Sequence, residues 1–205
     1  MQDLQTSQEG KETGPMNIPN VLTILRLLLV PVLVILLIQK SFTKAFVLFV
    51  VCGLTDALDG FIARLLNQKT VLGAYLDPIA DKALMISCFI TLSVRSIIPP
   101  WLSVIVISRD CIILLGISVL SLMRIPFEIR PLFVSKITTL LQIVTIMLVL
   151  LFQSKIVIFS TFWLKSLYWL TALFTILSGL IYIYRGVRYI NEANGADRGK
   201  SVNSA

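Results

Sequence analysis

The chain contains no histidine. That absence removes the commonest general base and the commonest metal ligand, and with them any phosphohistidine intermediate. Proton transfer is left to a carboxylate or, failing that, a lysine or tyrosine. Cysteine is scarce as well. Cys52, Cys88 and Cys111 each lie inside an apolar run, and an odd number without C-x-x-C spacing speaks against a disulfide framework or a zinc site; they read as small buried hydrophobes. Charge is the third deficit. Only 14% of the 205 residues are charged and 57% are hydrophobic, with a mean hydropathy of +0.90, whereas soluble domains carry about 25% charged residues. The composition is that of a polytopic membrane protein with room for one compact bundle.

The net charge is +7. The lysines and arginines are spread through loops and tails with no basic stripe, which excludes nucleic acid as a partner and fits a face turned to anionic lipid headgroups. Residues 1–15 are polar, have no apolar core of their own and are expected to be disordered. They lack the cationic start and cleavage site of a secretory signal, and Met16 is a possible alternative start.

Six apolar runs follow, over about residues 21–38, 45–66, 73 or 77 to 94, 101–123, 137–152 and 162–184, so the expected fold is all-α, a bundle of six transmembrane helices. Arg26 lies five residues into the first run, where it either snorkels to the headgroups or meets a lipid or nucleotide phosphate. Pro31 in the same run is expected to kink the helix, tolerated because neighbouring helices can re-satisfy the freed carbonyl. Lys40 and Lys44 mark a short loop, and residues 67–70 a turn. Pro78 suits a first helical turn, which would make Asp77 a plain N-cap if it stood alone. In the fourth run the adjacent Arg109 and Asp110 are not expected to face each other, so each should find a partner elsewhere. They form either structural ion pairs or, for Arg109, a contact to an acceptor phosphate. Residues 124–136 read as a basic loop in which Arg130 and Lys136 are further candidate phosphate contacts. Trp163, Tyr168 and Trp169 are spaced like an interfacial aromatic belt. Residues 185–205 are polar and expected to be a flexible tail, and no internal repeat is visible.

Six spans put both termini on one side. With the termini inside, and with Arg26 and Arg109 set aside as intramembrane, eleven basic residues fall inside and five outside: Lys40, Lys44, Arg95, Lys155 and Lys165. The excess predicts cytoplasmic termini.

The stretch from Asp56 to Asp81 carries the chemistry. Asp56 and Asp59 are spaced i,i+3 on one helical stripe, with Gly60 and Ala63 on the same face. Asp77 and Asp81 are spaced i,i+4 on the next helix. Each carboxylate at membrane depth costs roughly 2.5 kcal/mol or more, and four crowded together repel one another. Arg64 alone cannot offset them. Two acid pairs on neighbouring helices form an all-oxygen cage suited to Mg2+ or Mn2+, which bind carboxylates together with substrate phosphates. Gly60, Ala63 and Gly73 leave room for close approach, and Arg64 offers a planar fork for phosphate.

The pattern Asp56-x2-Asp59-Gly60-x2-Ala63-Arg64-x8-Gly73-x3-Asp77-x3-Asp81 resembles the signature of the CDP-alcohol phosphatidyltransferase family at all eight fixed positions. The resemblance implies a membrane domain over 16–184 that transfers a phosphatidyl group from CDP-diacylglycerol to a hydroxyl, releasing CMP. It implies two divalent ions held by Asp56, Asp59, Asp77 and Asp81, with Asp81 also accepting the proton of the attacking hydroxyl. Asp56, Gly60, Ala63, Arg64 and Gly73 would contact the CDP part, and Arg26, Arg109, Arg130 and Lys136 an acceptor phosphate. Homodimers are usual in the family, and a bacterial cytoplasmic membrane is the expected location, with the site facing the cytoplasm. Residues 17–31 resemble both phosphatidylglycerophosphate synthases and CMP-forming cardiolipin synthases, whereas 107–110 (I-S-R-D) and 130–142 look more like the latter. Ile117 stands where the phosphatidylglycerophosphate synthases usually carry a second arginine, in a helix whose first arginine matches Arg109. The acceptor is thus phosphatidylglycerol or glycerol 3-phosphate. An intramembrane ion or proton carrier would explain buried acids but neither the glycines nor Arg64. A non-catalytic lipid-binding protein would not need all four acids.

Overall fold

Six helices and no strand make up the described part of a computed structural model of the chain. The backbone is described for residues 18–65, 71–122, 133–156 and 160–202, and side chains for 23–56, 80–116, 133–156 and 160–188. The helices are α1 (Ile18–Ile38), α2 (Phe42–Leu65), α3 (Val71–Val94), α4 (Pro100–Leu122), α5 (Phe133–Gln153) and α6 (Thr161–Val202). Expectations for residues 1–15, Met16, the 67–70 turn and Arg130 lie outside the described residues. The chain divides into two units, Met1–Cys88 and Phe89–Ala205, the boundary falling within α3.

In the first unit α1 packs against α2. The buried positions of α1 are Thr23, Arg26, Val30, Leu33 and Leu37, and those of α2 are Ala45, Phe49 and Cys52. Both sets alternate steps of three and four, the spacing that keeps one seam facing one partner. Helix α1 continues past Pro31 without interruption. Three connections end in the same device. Lys40, Ser96 and Lys155 follow α1, α3 and α5 with φ of 59°, 55° and 59°. At the first two, paired hydrogen bonds fold the chain back on the helix end (Ser41 N–H to the Leu36 carbonyl, Ile97 N–H to the Leu92 carbonyl). This is the left-handed cap that usually takes glycine; non-glycine residues hold it here.

In the second unit α6 packs against both α4 and α5. A polar seam joins α5 to α6. Thr138 donates to the Phe174 carbonyl at 3.0 Å, the Gln142 amide to Thr175 at 3.4 Å, and the Thr145 and Thr171 hydroxyls share a bond of 2.8 Å. All of these side chains are buried. Meanwhile Leu140, Leu173, Ile176, Leu180 and Trp169 face outward. Polar inside and apolar outside is the inverse of a protein in water, and it is the arrangement that lipid favours, because hydroxyls and amides find partners only between helices. Phe133–Gln153 and Thr161–Arg188 are long and apolar enough to cross a membrane, and Thr23–Ile38 is a shorter apolar helix.

Four expectations are corrected. Helix α3 begins at Val71, so Asp77 and Pro78 are interior positions and Asp77 is no N-cap. Lys44 belongs to α2. Helix α5 begins at Phe133, which puts Lys136 in its first turn and not in a loop. The helix of α6 continues to Val202, through the polar stretch expected to be a flexible tail.

Candidate active site

The signature residues sit on two consecutive helices. Asp56, Asp59, Gly60, Ala63 and Arg64 lie on α2, and Gly73, Asp77 and Asp81 on α3. Of their side chains, those of Asp56 and Asp81 are described, and both are partly buried. Among the described residues no three carboxylates or cysteines converge, and the side chains of Asp59 and Asp77 lie outside that set.

Asp56 has a partner that the sequence did not reveal. The Arg26 guanidinium forms an ion pair with the Asp56 carboxylate through Nη1 and Oδ1. Arg26 is only 3% exposed, so it does not snorkel to the headgroups. The pair follows from the α1–α2 seam. In an antiparallel hairpin with Arg26 level with Asp56, equal rise puts Val30 level with Cys52, Leu33 with Phe49 and Leu37 with Ala45. Arg26 thus continues the apolar stripe of α1, and Asp56 lies four residues beyond Cys52 on that of α2. The stripe at 23, 26, 30, 33 and 37 was the available signal, and following it across the turn would have found the pair.

Asp56 still keeps an open side. Its side chain is 45% exposed, and Oδ2 has no partner among the described residues. A carboxylate oriented by an arginine through one oxygen and still partly exposed suits a hard cation, whose ligands are themselves commonly oriented by outer partners.

Arg109 and Asp110 correct a further expectation. They pair with each other, Arg109 Nη1 to Asp110 Oδ1 at 2.7 Å. Neighbouring residues point about 100° apart around a helix, yet the arginine side chain is long enough to turn back. Arg109 also donates from Nη2 to Ser135 on α5 at 2.5 Å and to Ser178 on α6 at 3.1 Å, and its guanidinium lies 6.0 Å from the Tyr182 ring. At 5% and 2% exposure this pair ties three helices together. Ser135 and Ser178 were missed, though hydroxyls within otherwise apolar runs mark the helix faces that meet. Lys136, one residue beyond Ser135, is exposed.

Residues 16–178 match the family model described as CDP-alcohol phosphatidyltransferase. The chain belongs to the CDP-alcohol phosphatidyltransferase family. Members of this family generally depend on a divalent metal. Among its relatives is a cardiolipin synthase (CMP-forming) of Rattus norvegicus, 34% identical over 159 residues, which are 70% of this chain and 53% of the relative. A probable phosphatidylglycerophosphate synthase of Mycobacterium tuberculosis is 32% identical over 199 residues, 91% of this chain and 89% of the relative. A CDP-diacylglycerol–glycerol-3-phosphate 3-phosphatidyltransferase of Pseudomonas fluorescens is 39% identical over 104 residues, 48% of this chain and 53% of the relative. The chain thus spans about half the length of the cardiolipin synthases it matches and nearly all of the mycobacterial phosphatidyltransferase family member.

Proposed function

We propose that this chain makes glycerophospholipid by transferring the phosphatidyl group of CDP-diacylglycerol to the hydroxyl of a glycerol-type acceptor, with release of CMP. The observation that carries the proposal is the eight-position pattern, with its acids on α2 and α3 in a chain that belongs to the family. Asp56, Asp59, Asp77 and Asp81 are the residues that hold the metal. When bound, two divalent ions, Mg2+ or Mn2+, neutralise charge on the pyrophosphate. Arg26 keeps the Asp56 carboxylate oriented. Gly60, Ala63 and Gly73 admit the CDP part closely, and Arg64 meets its phosphate oxygens.

Asp81 takes the proton from the acceptor hydroxyl as that oxygen bonds to the phosphorus carrying diacylglycerol. The bond from that phosphorus to the oxygen of CMP breaks, and CMP leaves with the electron pair. The displacement is direct, since no activated nucleophile of the protein accompanies the acids. Isolation of a phosphatidyl–enzyme adduct would overturn this step.

The acceptor is phosphatidylglycerol or glycerol 3-phosphate. Residues 107–110 and 130–142 favour phosphatidylglycerol, while the mycobacterial relative, matched over most of its length, is named for the other product. Arg130 and Lys136 are the cations proposed for the acceptor phosphate. Arg26 and Arg109 already have carboxylate partners. Purified protein given CDP-diacylglycerol, Mg2+ or Mn2+ and a panel of glycerol 3-phosphate, phosphatidylglycerol, inositol phosphate and serine is expected to release CMP with one of the first two only. CMP release with none would remove the enzymatic reading in favour of an ion carrier or a passive lipid binder.

The six helices are proposed to span the membrane with both termini and the acids toward the cytoplasm, in a bacterial cytoplasmic membrane and as a homodimer. A reporter fused after Ala205 is expected to be active only as a cytoplasmic reporter; activity confined to the far side would reverse the orientation.

A further inference from the structure

A half-open cavity of about 320 Å3 lies in the second unit, between the turn after α3, the last turn of α5 and the first turns of α6. Ligand pockets commonly measure about 300–1,000 Å3. The signature acids lie on α2 and in the first half of α3, whereas this cavity is lined by residues that follow the end of α3. Ile98, Val149, Phe152 and Leu164 supply an apolar wall, Lys165 a cation and Tyr168 a phenol, and no carboxylate lines the space among the described residues.

Two observations indicate what occupies it. Tyr168 is 8% exposed, yet its hydroxyl has no hydrogen-bond partner among the described residues and is not sealed off. Tyr168 lines the cavity, so a phenol hydroxyl that no described residue uses is available there to a ligand. Second, the cavity lies at the depth of an aromatic girdle. Trp101, in the first turn of α4, packs on Trp169 at 5.0 Å between centroids, and Trp163 stands exposed in the first turn of α6. Exposed tryptophans at helix ends sit at the level of lipid headgroups. A site at that depth that offers a cation and a hydroxyl donor above an apolar wall matches a phosphate diester above an acyl chain.

We propose that this cavity binds one membrane phospholipid, its phosphate against Lys165 and the Tyr168 hydroxyl and part of an acyl chain against Ile98, Val149, Phe152 and Leu164. Its lining shares no residue with the signature on which the proposed chemistry rests. On the orientation proposed there it opens to the outer leaflet.

The test uses the full-length purified protein in detergent and phosphatidylglycerol carrying a diazirine in its acyl chain, with labelled residues mapped by peptide. Saturable labelling of the segment around Phe152 and Leu164 is expected in the wild type. It should fall about fivefold or more at a fixed subsaturating concentration in Tyr168→Phe and in Lys165→Gln, the loss expected when a charge-assisted hydrogen bond disappears. Tyr168→Phe removes a hydroxyl that no described residue uses, so its folding should be unaffected, and both variants should release CMP as the wild type does. Absence of saturable labelling, or equal labelling in all three proteins, would overturn the proposal. So would displacement of the label by free fatty acid as effectively as by unlabelled phosphatidylglycerol, which would assign the cavity to a bare chain. Labelling reports on the cavity and CMP release on the acids, so either reading can fail without the other.

Discussion

Asp81→Asn is expected to lower CMP release from CDP-diacylglycerol by about a thousandfold or more. Two losses combine. A positioned general base contributes roughly 10²–10⁴ in rate, and the amide also withdraws a negative charge from a site proposed to hold divalent ions. Asparagine keeps nearly the same volume, and Asp81 is only partly buried, so the variant should still reach the membrane. The measurement is CMP release at saturating substrate, beside the amount of protein recovered from membranes and its melting temperature in detergent. Turnover within tenfold of wild type, at equal protein, would remove Asp81 from the reaction. A thousandfold loss together with collapse of the melting temperature would point to folding, and Asp81→Glu, which restores the charge, would then be the deciding variant.

The second large effect is on stability. Arg109 and Asp110 are both almost fully buried and paired. Removing one partner from such a pair takes from the other buried charge its ionic partner, at a cost of about 3–5 kcal/mol. Replacing both by apolar residues of similar size is often neutral. Arg109→Leu and Asp110→Leu are therefore each expected to destabilise the protein strongly in unfolding titrations from mixed micelles. The double variant should recover most of the loss, short of the bonds that Arg109 makes to Ser135 and Ser178 and of the further interaction that Asp110 makes. If the double variant is as damaged as the singles together, the two residues act independently and the pair is not a unit.

Much of the architecture is legible in the chain because long apolar runs leave few alternatives to helices. The number of helices and most of their C-terminal ends follow from where those runs stop. The starts are harder, for a consistent reason. Pro78 suits a first helical turn and residues 124–136 a loop, yet α3 begins at Val71 and α5 takes in Phe133 to Lys136. In lipid, neighbouring helices can satisfy the backbone that a proline frees, so a proline there is weaker punctuation than in water.

The signature itself was plain, since eight residues at fixed spacing on two helices need no tertiary knowledge. What it concealed was how its first member is held. By its charge Arg26 reads equally as a snorkelling cation or a phosphate contact, whereas its place on the α1 stripe points it at α2. Arg109 does find distant partners in Ser135 and Ser178, as helix geometry suggests, but its side chain is long enough to pair with Asp110 as well.

The α1–α2 ion pair also bears on how the protein is made. Asp56 leaves the ribosome thirty residues after Arg26, so on the six-span reading α1 meets the bilayer carrying an uncompensated cation. An arginine near the middle of an inserting segment costs about 2.5–3.5 kcal/mol. The nascent chain avoids that cost only if α1 waits in the insertion machinery until α2 emerges and the two partition into lipid together as a hairpin.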